Sequence, residues 1–204
     1  MKRVKITFYI ATFTAIFSIF GMLFTGEKPA EIKDGSNLIA GSEYAEKVLA
    51  LLKNAKKRIY VSMYVMRYSQ SRAYSIENIY IKALIDRYKR GVDVKVILDA
   101  SHEWSKKRHS LSGPRSDKND NAYNALKKAG VPVVYDSMDQ TMHAKTIVID
   151  EELCIIGSTN WSYSALKKNV EFSVLIKSKS QTEKMAQHFK RLWTASENKK
   201  VWIP

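Results

Sequence analysis

Apolar and polar residues recur along the chain with two different periods, and the switches between them mark its elements. From Ser42 to Ala55 the apolar positions Tyr44, Val48, Leu51 and Leu52 follow helical spacing, with Ser42 placed to cap the first turn. Arg58 to Met66 (RIYVSMYVM) is β-branched and aromatic, the composition of a strand. Helical spacing returns over Ser75–Arg90 through Ile76, Ile79, Ala83 and Leu84 and stops at Gly91, and Val92 to Leu98 is again strand-like. A helix over Asn119–Ala129 ends at Gly130. Strands follow at Val131–Tyr135, Lys145–Ile149, Leu153–Ile156 and Val170–Ile176. The last helix, Gln181–Thr194, presents Met185, Phe189, Leu192 and Trp193 on one face. This alternation predicts an α/β domain over residues 42–204, with a sheet covered by helices on both faces and no internal repeat.

Three stretches fall outside that pattern. Ile6 to Phe24 holds 19 residues without a charge, about 28 Å as a helix at about 1.5 Å per residue, close to one hydrocarbon core. Lys2, Arg3 and Lys5 precede it, so residues 1–25 read as an anchor whose N-terminus stays in the cytoplasm while the rest is translocated. No Ala-x-Ala site follows at Leu23–Glu27, and the run exceeds a secretory core in length. The expectation is therefore an uncleaved single-pass inner-membrane protein with its domain on the periplasmic side. Cleavage, the alternative, leaves it periplasmic or secreted. Residues 26–41 (GEKPAEIKDGSNLIAG) are polar with Pro and Gly and read as a linker. Ala100 to Asn121 is long, polar and basic. Its Trp104, beside Lys106, Lys107 and Arg108, offers a stacking surface next to phosphate-binding charge, and a solvated loop is the alternative.

Composition narrows the partners. With 45% apolar and 11% aromatic residues in 204, the chain is able to pack one core of ordinary size. The net charge is +14, and three of those charges precede the apolar run, leaving +11 on the remainder. A surplus of that size favours polyanions, either nucleic acid (DNA or RNA) or anionic phospholipid. Cys154 is the single cysteine, lies in the apolar run Leu153–Ile156, and supports neither an internal disulfide nor a cysteine-based zinc site. His102-Glu103 lacks the second histidine of a metallopeptidase helix, and no Asp/Glu/His cluster points to a catalytic metal or cofactor.

Chemistry concentrates between residues 143 and 171: His143-Ala144-Lys145, then Asp150, then Gly157-Ser158-Thr159-Asn160, and finally Asn169-Val170-Glu171. On a strand, residues 143 and 145 point to one face. A histidine nucleophile can divide a phosphodiester displacement into two steps through a phosphoenzyme. Lys145 is a cation for a non-bridging oxygen, and Ser158 and Asn160 are neutral donors for the same oxygens. Glu171 is the candidate carboxylate to hold the imidazole in one tautomer. Asp150 is read as a member of a structural polar network.

These residues fill every fixed position of the phospholipase D signature H-x-K-x₄-D-x₆-G-S-x-N. At average residue usage that pattern is expected by chance in roughly one chain of this length in a million. From about residue 42 to 195 the chain resembles the phospholipase D superfamily, and its size and single motif resemble the short bacterial endonuclease branch and the mitochondrial, membrane-anchored members. The resemblance implies a mixed sheet between helical layers, metal-independent chemistry, and a site holding His143, Lys145, Asp150, Ser158, Asn160 and Glu171. Larger members join two signatures in one site. A chain with one implies a homodimer in which His143 of each subunit faces the same phosphate, one as nucleophile and the other as acid. The expected function is an endonuclease acting on nucleic acid, single strands favoured. A membrane phospholipase acting on cardiolipin or other lipids, and a non-catalytic nucleic-acid-binding protein, are the alternatives.

Overall fold

A computed structural model describes residues 35–100, 118–137 and 141–198. The apolar stretch 6–24 and the basic loop carrying Trp104, Lys106, Lys107 and Arg108 lie outside those residues. Among the described residues no helix is long and apolar enough to cross a membrane.

Among the described residues seven strands form one mixed sheet: β1 (Gly35–Ala40), β2 (Arg58–Met63), β3 (Asp93–Leu98), β4 (Val133–Tyr135), β5 (Lys145–Ile149), β6 (Leu153–Gly157) and β7 (Phe172–Lys177), in the spatial order β1-β7-β6-β5-β2-β3-β4. β2, β3 and β4 run parallel, and every other pairing is antiparallel. The helices are α1 (Gly41–Asn54), α2 (Ile76–Lys89), α3 (Asp120–Lys128), α4 (Tyr163–Lys167) and α5 (Lys179–Glu197), with a 3₁₀ turn at Gln70–Arg72. The expected sheet between helices is present, with boundaries moved by one to three residues at most ends.

Alternation along the strands divides the core. Tyr60, Ile97 and Val148 face α5, where they pack with Ala186 and Phe189, and Tyr60 stacks on Phe189 at 4.7 Å between centroids. The face foreseen for the last helix is thus the buried one. Ile59, Val61 and Met63, one residue out of phase, are fully buried on the opposite side. There Trp161 is fully buried, lies 4.8 Å from the Tyr80 ring, and donates Nε1–H to the Tyr44 hydroxyl at 3.2 Å. Truncating a side chain buried this way costs about 3–5 kcal/mol. Because Trp161 directly follows Asn160, that anchor fixes where the G-S-x-N segment ends.

Two expectations need correction. The stretch 26–41 is not linker throughout, since Gly35–Ala40 is an edge strand antiparallel to β7. Only Ile39 in it is fully buried while Leu38 is 63% exposed, so the strand forms by satisfying the free backbone edge of β7 and leaves almost no apolar period to read. The N-cap of α1 is Ala40 rather than Ser42, which lies inside the first turn.

Candidate active site

The mixed topology brings five strand ends to one rim. β2 and β3 end there at Met63 and Leu98, β6 ends there at Gly157, and β5 and β7 start there at Lys145 and Phe172. Signature residues far apart in sequence therefore meet at one end of the sheet. His143 lies exposed in the approach to β5, and Lys145 is buried at its first position. Lys145 Nζ donates to the His143 carbonyl at 2.6 Å and to His143 Nδ1 at 3.1 Å. Among the described residues His143 Nε2 makes no hydrogen bond. Partial burial and then the Lys145 charge hold the imidazole below its ordinary 6.5, against the opposite pull of Asp99. Burial likewise lowers Lys145 from 10.5, while Glu171 and Asp99 favour its charged form.

Gly157 has a steric reason. A Cβ there would meet Ser173 Oγ at 2.1 Å and the Phe172 carbonyl at 2.5 Å, so only glycine lets β6 close on β7. That approach sets Ser158 against Glu171, whose carboxylate accepts from the Ser158 hydroxyl and from Asn169 Nδ2 at 3.0 Å. Within one chain Glu171 thus engages Ser158 and Asn169, not the imidazole it was expected to hold. Its reach along the strand end goes to the neighbouring β6, and its field still bears on Lys145. Asn160 Oδ1 accepts from the Val65 N–H at 3.1 Å, which orients the amide and leaves its Nδ2 without a partner among the described residues.

Asp150 sits apart from this group. It follows the far end of β5, five residues and about 16 Å of strand from Lys145. Its carboxylate accepts the backbone N–H groups of Lys56, Lys57 and Arg58 at 2.6–3.2 Å, and it holds a positive φ of 52°.

Behind the histidine lies a layer that pattern reading missed. Asp99 and Asp136 follow the adjacent parallel strand ends of β3 and β4, and both accept the N–H of Met142, the residue before His143, at 3.0 and 2.9 Å. Asp136 also accepts the Ala100 N–H at 2.5 Å; burial pushes its carboxyl up to about 6, with those backbone bonds opposing and the Asp99 charge adding. Lys118 forms a buried ion pair with Asp99 at 2.6 Å and lies 3.7 Å from the centre of the Tyr64 ring. Tyr64 in turn sits 4.3 Å from the His143 ring and 4.7 Å from Lys145 Nζ. Asn119 ties this layer together, donating to the carbonyls of Tyr64 and Asp99 and accepting from the Met66 N–H at 2.8 Å. The available signal was an aspartate placed directly after each of two apolar strands, the carboxyl-end position where open α/β sheets carry their sites.

A cleft of about 440 Å³ opens beside His143, between the sheet and α5, with Met142, Ala144, Ile156, Met185 and Leu192 among its walls. Among the described residues no group of three or more His, Cys, Asp or Glu is placed to hold a metal ion.

Comparison with known proteins agrees with the geometry. Residues 48–193 match the family described as cardiolipin synthase, PLD-like domain. A phospholipase D of Rickettsia typhi is 28% identical over 142 residues, covering 70% of this chain and 59% of that protein. The mitochondrial cardiolipin hydrolase of Xenopus tropicalis is 30% identical over 112 residues, covering 55% of this chain and 47% of that protein. The match thus spans about half the length of these curated relatives. The crystal structure of Nuc, a phospholipase D family member from Salmonella typhimurium, superposes with a TM-score of 0.61 at 25% identity, covering 78% of this chain and 95% of that one.

Proposed function

The chain belongs to the phospholipase D superfamily, and we propose that within it this protein is a metal-independent phosphodiesterase that cleaves single-stranded nucleic acid through a phosphohistidine intermediate in a homodimeric site. The observation that carries the reading is the pairing of His143, neutral and open at Nε2, with Lys145 bonded to its Nδ1. A substrate phosphate draws the Lys145 ammonium onto a non-bridging oxygen and frees Nδ1 to carry the ring proton. Nε2 then presents its lone pair, the Nε2–P bond forms and the P–O bond to the leaving group breaks. Asn160 Nδ2 and the Ser158 hydroxyl add neutral donors to the developing charge. The departing oxygen needs a proton, and the imidazolium of a second subunit is its source. The second imidazole, neutral once it has given up its proton, takes one from water, whose oxygen attacks phosphorus; the P–N bond breaks and the phosphate monoester leaves.

Nucleic acid is preferred over lipid because the chain outside its first charges carries +11 and pairs aromatic rings with cations at the surface. A phospholipase is the second reading, supported by the apolar cleft that opens beside His143. Labelled single-stranded DNA, duplex DNA, RNA and cardiolipin vesicles, each incubated with protein and EDTA, separate the two. The expected result is nucleic-acid cleavage that persists in EDTA and disappears in His143→Ala; headgroup release alone would move the protein to the lipases.

A further inference from the structure

Beyond Asn160 the surface carries a group of rings and cations that the chemistry of the preceding section does not use. Tyr163, the first residue of α4, is 44% exposed, with Arg72 and Lys168 each 5.5 Å from its ring centre. Tyr74 is 90% exposed and has Lys82 Nζ at 5.7 Å. Between the two rings lies a depression of about 570 Å³ lined by Arg72, Tyr74, Ser75, Glu77, Tyr163 and Lys167 among others. The Ser75 hydroxyl is buried there without a hydrogen-bond partner and does not cap α2. Among the described residues Arg72, Lys167 and Lys168 form no ion pair, and the one acid in the lining, Glu77, is 4% exposed.

The group is tied to the active site by backbone. Trp161 N–H donates to the Val65 carbonyl at 2.9 Å and Arg67 N–H to the Trp161 carbonyl at 2.8 Å, so the segment leading to Arg72 and the segment leading to Tyr163 leave the site side by side. Tyr163 follows Asn160 by three residues, at most about 11 Å of chain.

We propose that this surface is a binding track for the strand flanking the scissile phosphate, with bases stacked on Tyr163 and Tyr74 and phosphates held by Arg72, Lys167 and Lys168, an assignment that rests on the nucleic-acid reading above. Cation–ring distances of 5.5–5.7 Å lie near the outer limit of such contacts, so a base can displace the cation from the ring. The released cation then meets the phosphate that the base brings with it. Every base offers a π-face, so the track binds without reading sequence. The two exposed rings stand apart across a depression lined by Arg72 and Lys167 and form no continuous apolar face.

The test uses the full chain carrying His143→Ala, so that binding is read without turnover. Dissociation constants for oligothymidylates of about 4 and about 12 nucleotides, spanning the usual site sizes, are measured by fluorescence anisotropy. Lengthening the strand tightens binding, and replacing both Tyr74 and Tyr163 by Ala reduces that gain about tenfold, while Phe at both positions keeps it. Arg72→Gln lowers the slope of log K against log salt by about 1. An undiminished gain in the double alanine variant overturns the track, even when the unaltered protein cleaves nucleic acid. Tyrosine-dependent binding by a chain that cleaves none sustains the track and sinks the catalytic reading. Tyrosine-dependent binding to anionic vesicles with none to oligonucleotides turns the surface into a membrane contact and also overturns it.

Discussion

Replacing Asp150 separates a structural aspartate from a catalytic one more sharply than any other change in the signature. Its carboxylate accepts from Lys56 N–H at 3.0 and 3.1 Å, from Lys57 N–H at 2.6 Å and from Arg58 N–H at 3.2 Å. Its own carbonyl accepts Arg58 Nε at 2.7 Å. A buried bond to a charged acceptor contributes about 1.5–3 kcal/mol. Lys56 and Lys57 are exposed, so water takes over part of each, and about 1 kcal/mol per donor is the better figure. Alanine also has to hold φ near 52°, which adds about 1 kcal/mol. Asp150→Ala is therefore expected to lose about 4 kcal/mol. Asp150→Asn keeps one acceptor and tolerates the left-handed backbone, and is expected to lose about 1–2 kcal/mol. Against a typical total of about 5–15 kcal/mol, the alanine change visibly shifts the urea midpoint followed by circular dichroism. Turnover per folded molecule, measured well below the unfolding transition, should stay within about tenfold of the unaltered protein, because the carboxylate lies a strand length from the reacting atoms. An unshifted midpoint together with a loss of turnover as deep as that of His143→Ala would refute the reasoning.

The acid limb of kcat/KM against pH reports the free-enzyme imidazole: since burial and Lys145 hold His143 below 6.5, the rate should fall only as pH drops beneath that value, and a midpoint at or above 6.5 contradicts the assigned environment. Lys118→Met removes the ion-pair partner of Asp99 at a site where both side chains are under a tenth exposed, and should destabilise the fold by about 3–5 kcal/mol in thermal or urea unfolding, whereas a change below about 1 kcal/mol would show the pair to be dispensable.

Legibility in the sequence followed how local the cause was. β2 and β3 announce themselves by composition, because strands buried on both faces read as near-continuous β-branched and aromatic runs, and α5 by its 3.6-residue period, with Phe189 and Met185 packing where that period puts them. β1 has no such period, since its reason for existing is the unpaired backbone of β7, which no residue of 35–40 encodes. The same holds at the site. His143 and Lys145 are legible as near neighbours, the first just before β5 and the second at its start. Asp99, Asp136, Lys118 and Tyr64 reach the histidine only because the parallel strands β2, β3 and β4 all end at the rim where β5 starts, a fact of topology. Glu171 shows the converse: the motif foretold a carboxylate near the imidazole, but the close approach allowed by Gly157 hands it to Ser158.

One histidine in an exposed position leaves half of the reaction unassigned, and that gap can be turned into a measurement. His143 cannot both attack phosphorus and protonate the departing oxygen in one step, and the other described histidine, His188 of α5, lines the same cleft but is hydrogen-bonded to Arg191 at 2.8 Å. If the acid is His143 of a second copy, the working unit needs two intact histidines across a two-fold axis. Two imidazoles that close share a proton and titrate as a pair, which suits one to attack and the other to donate. Mixing unaltered protein with an equal amount of His143→Ala, after dissociation and reassociation, converts about half of all dimers to the mixed form and leaves about a quarter fully intact. Activity per unaltered subunit should then fall to about half, and further as the variant is raised in excess. Activity that stays constant per unaltered subunit at every ratio would mean that one chain completes the reaction alone, and the donor would have to be sought among its own side chains, with Lys145 the first to replace.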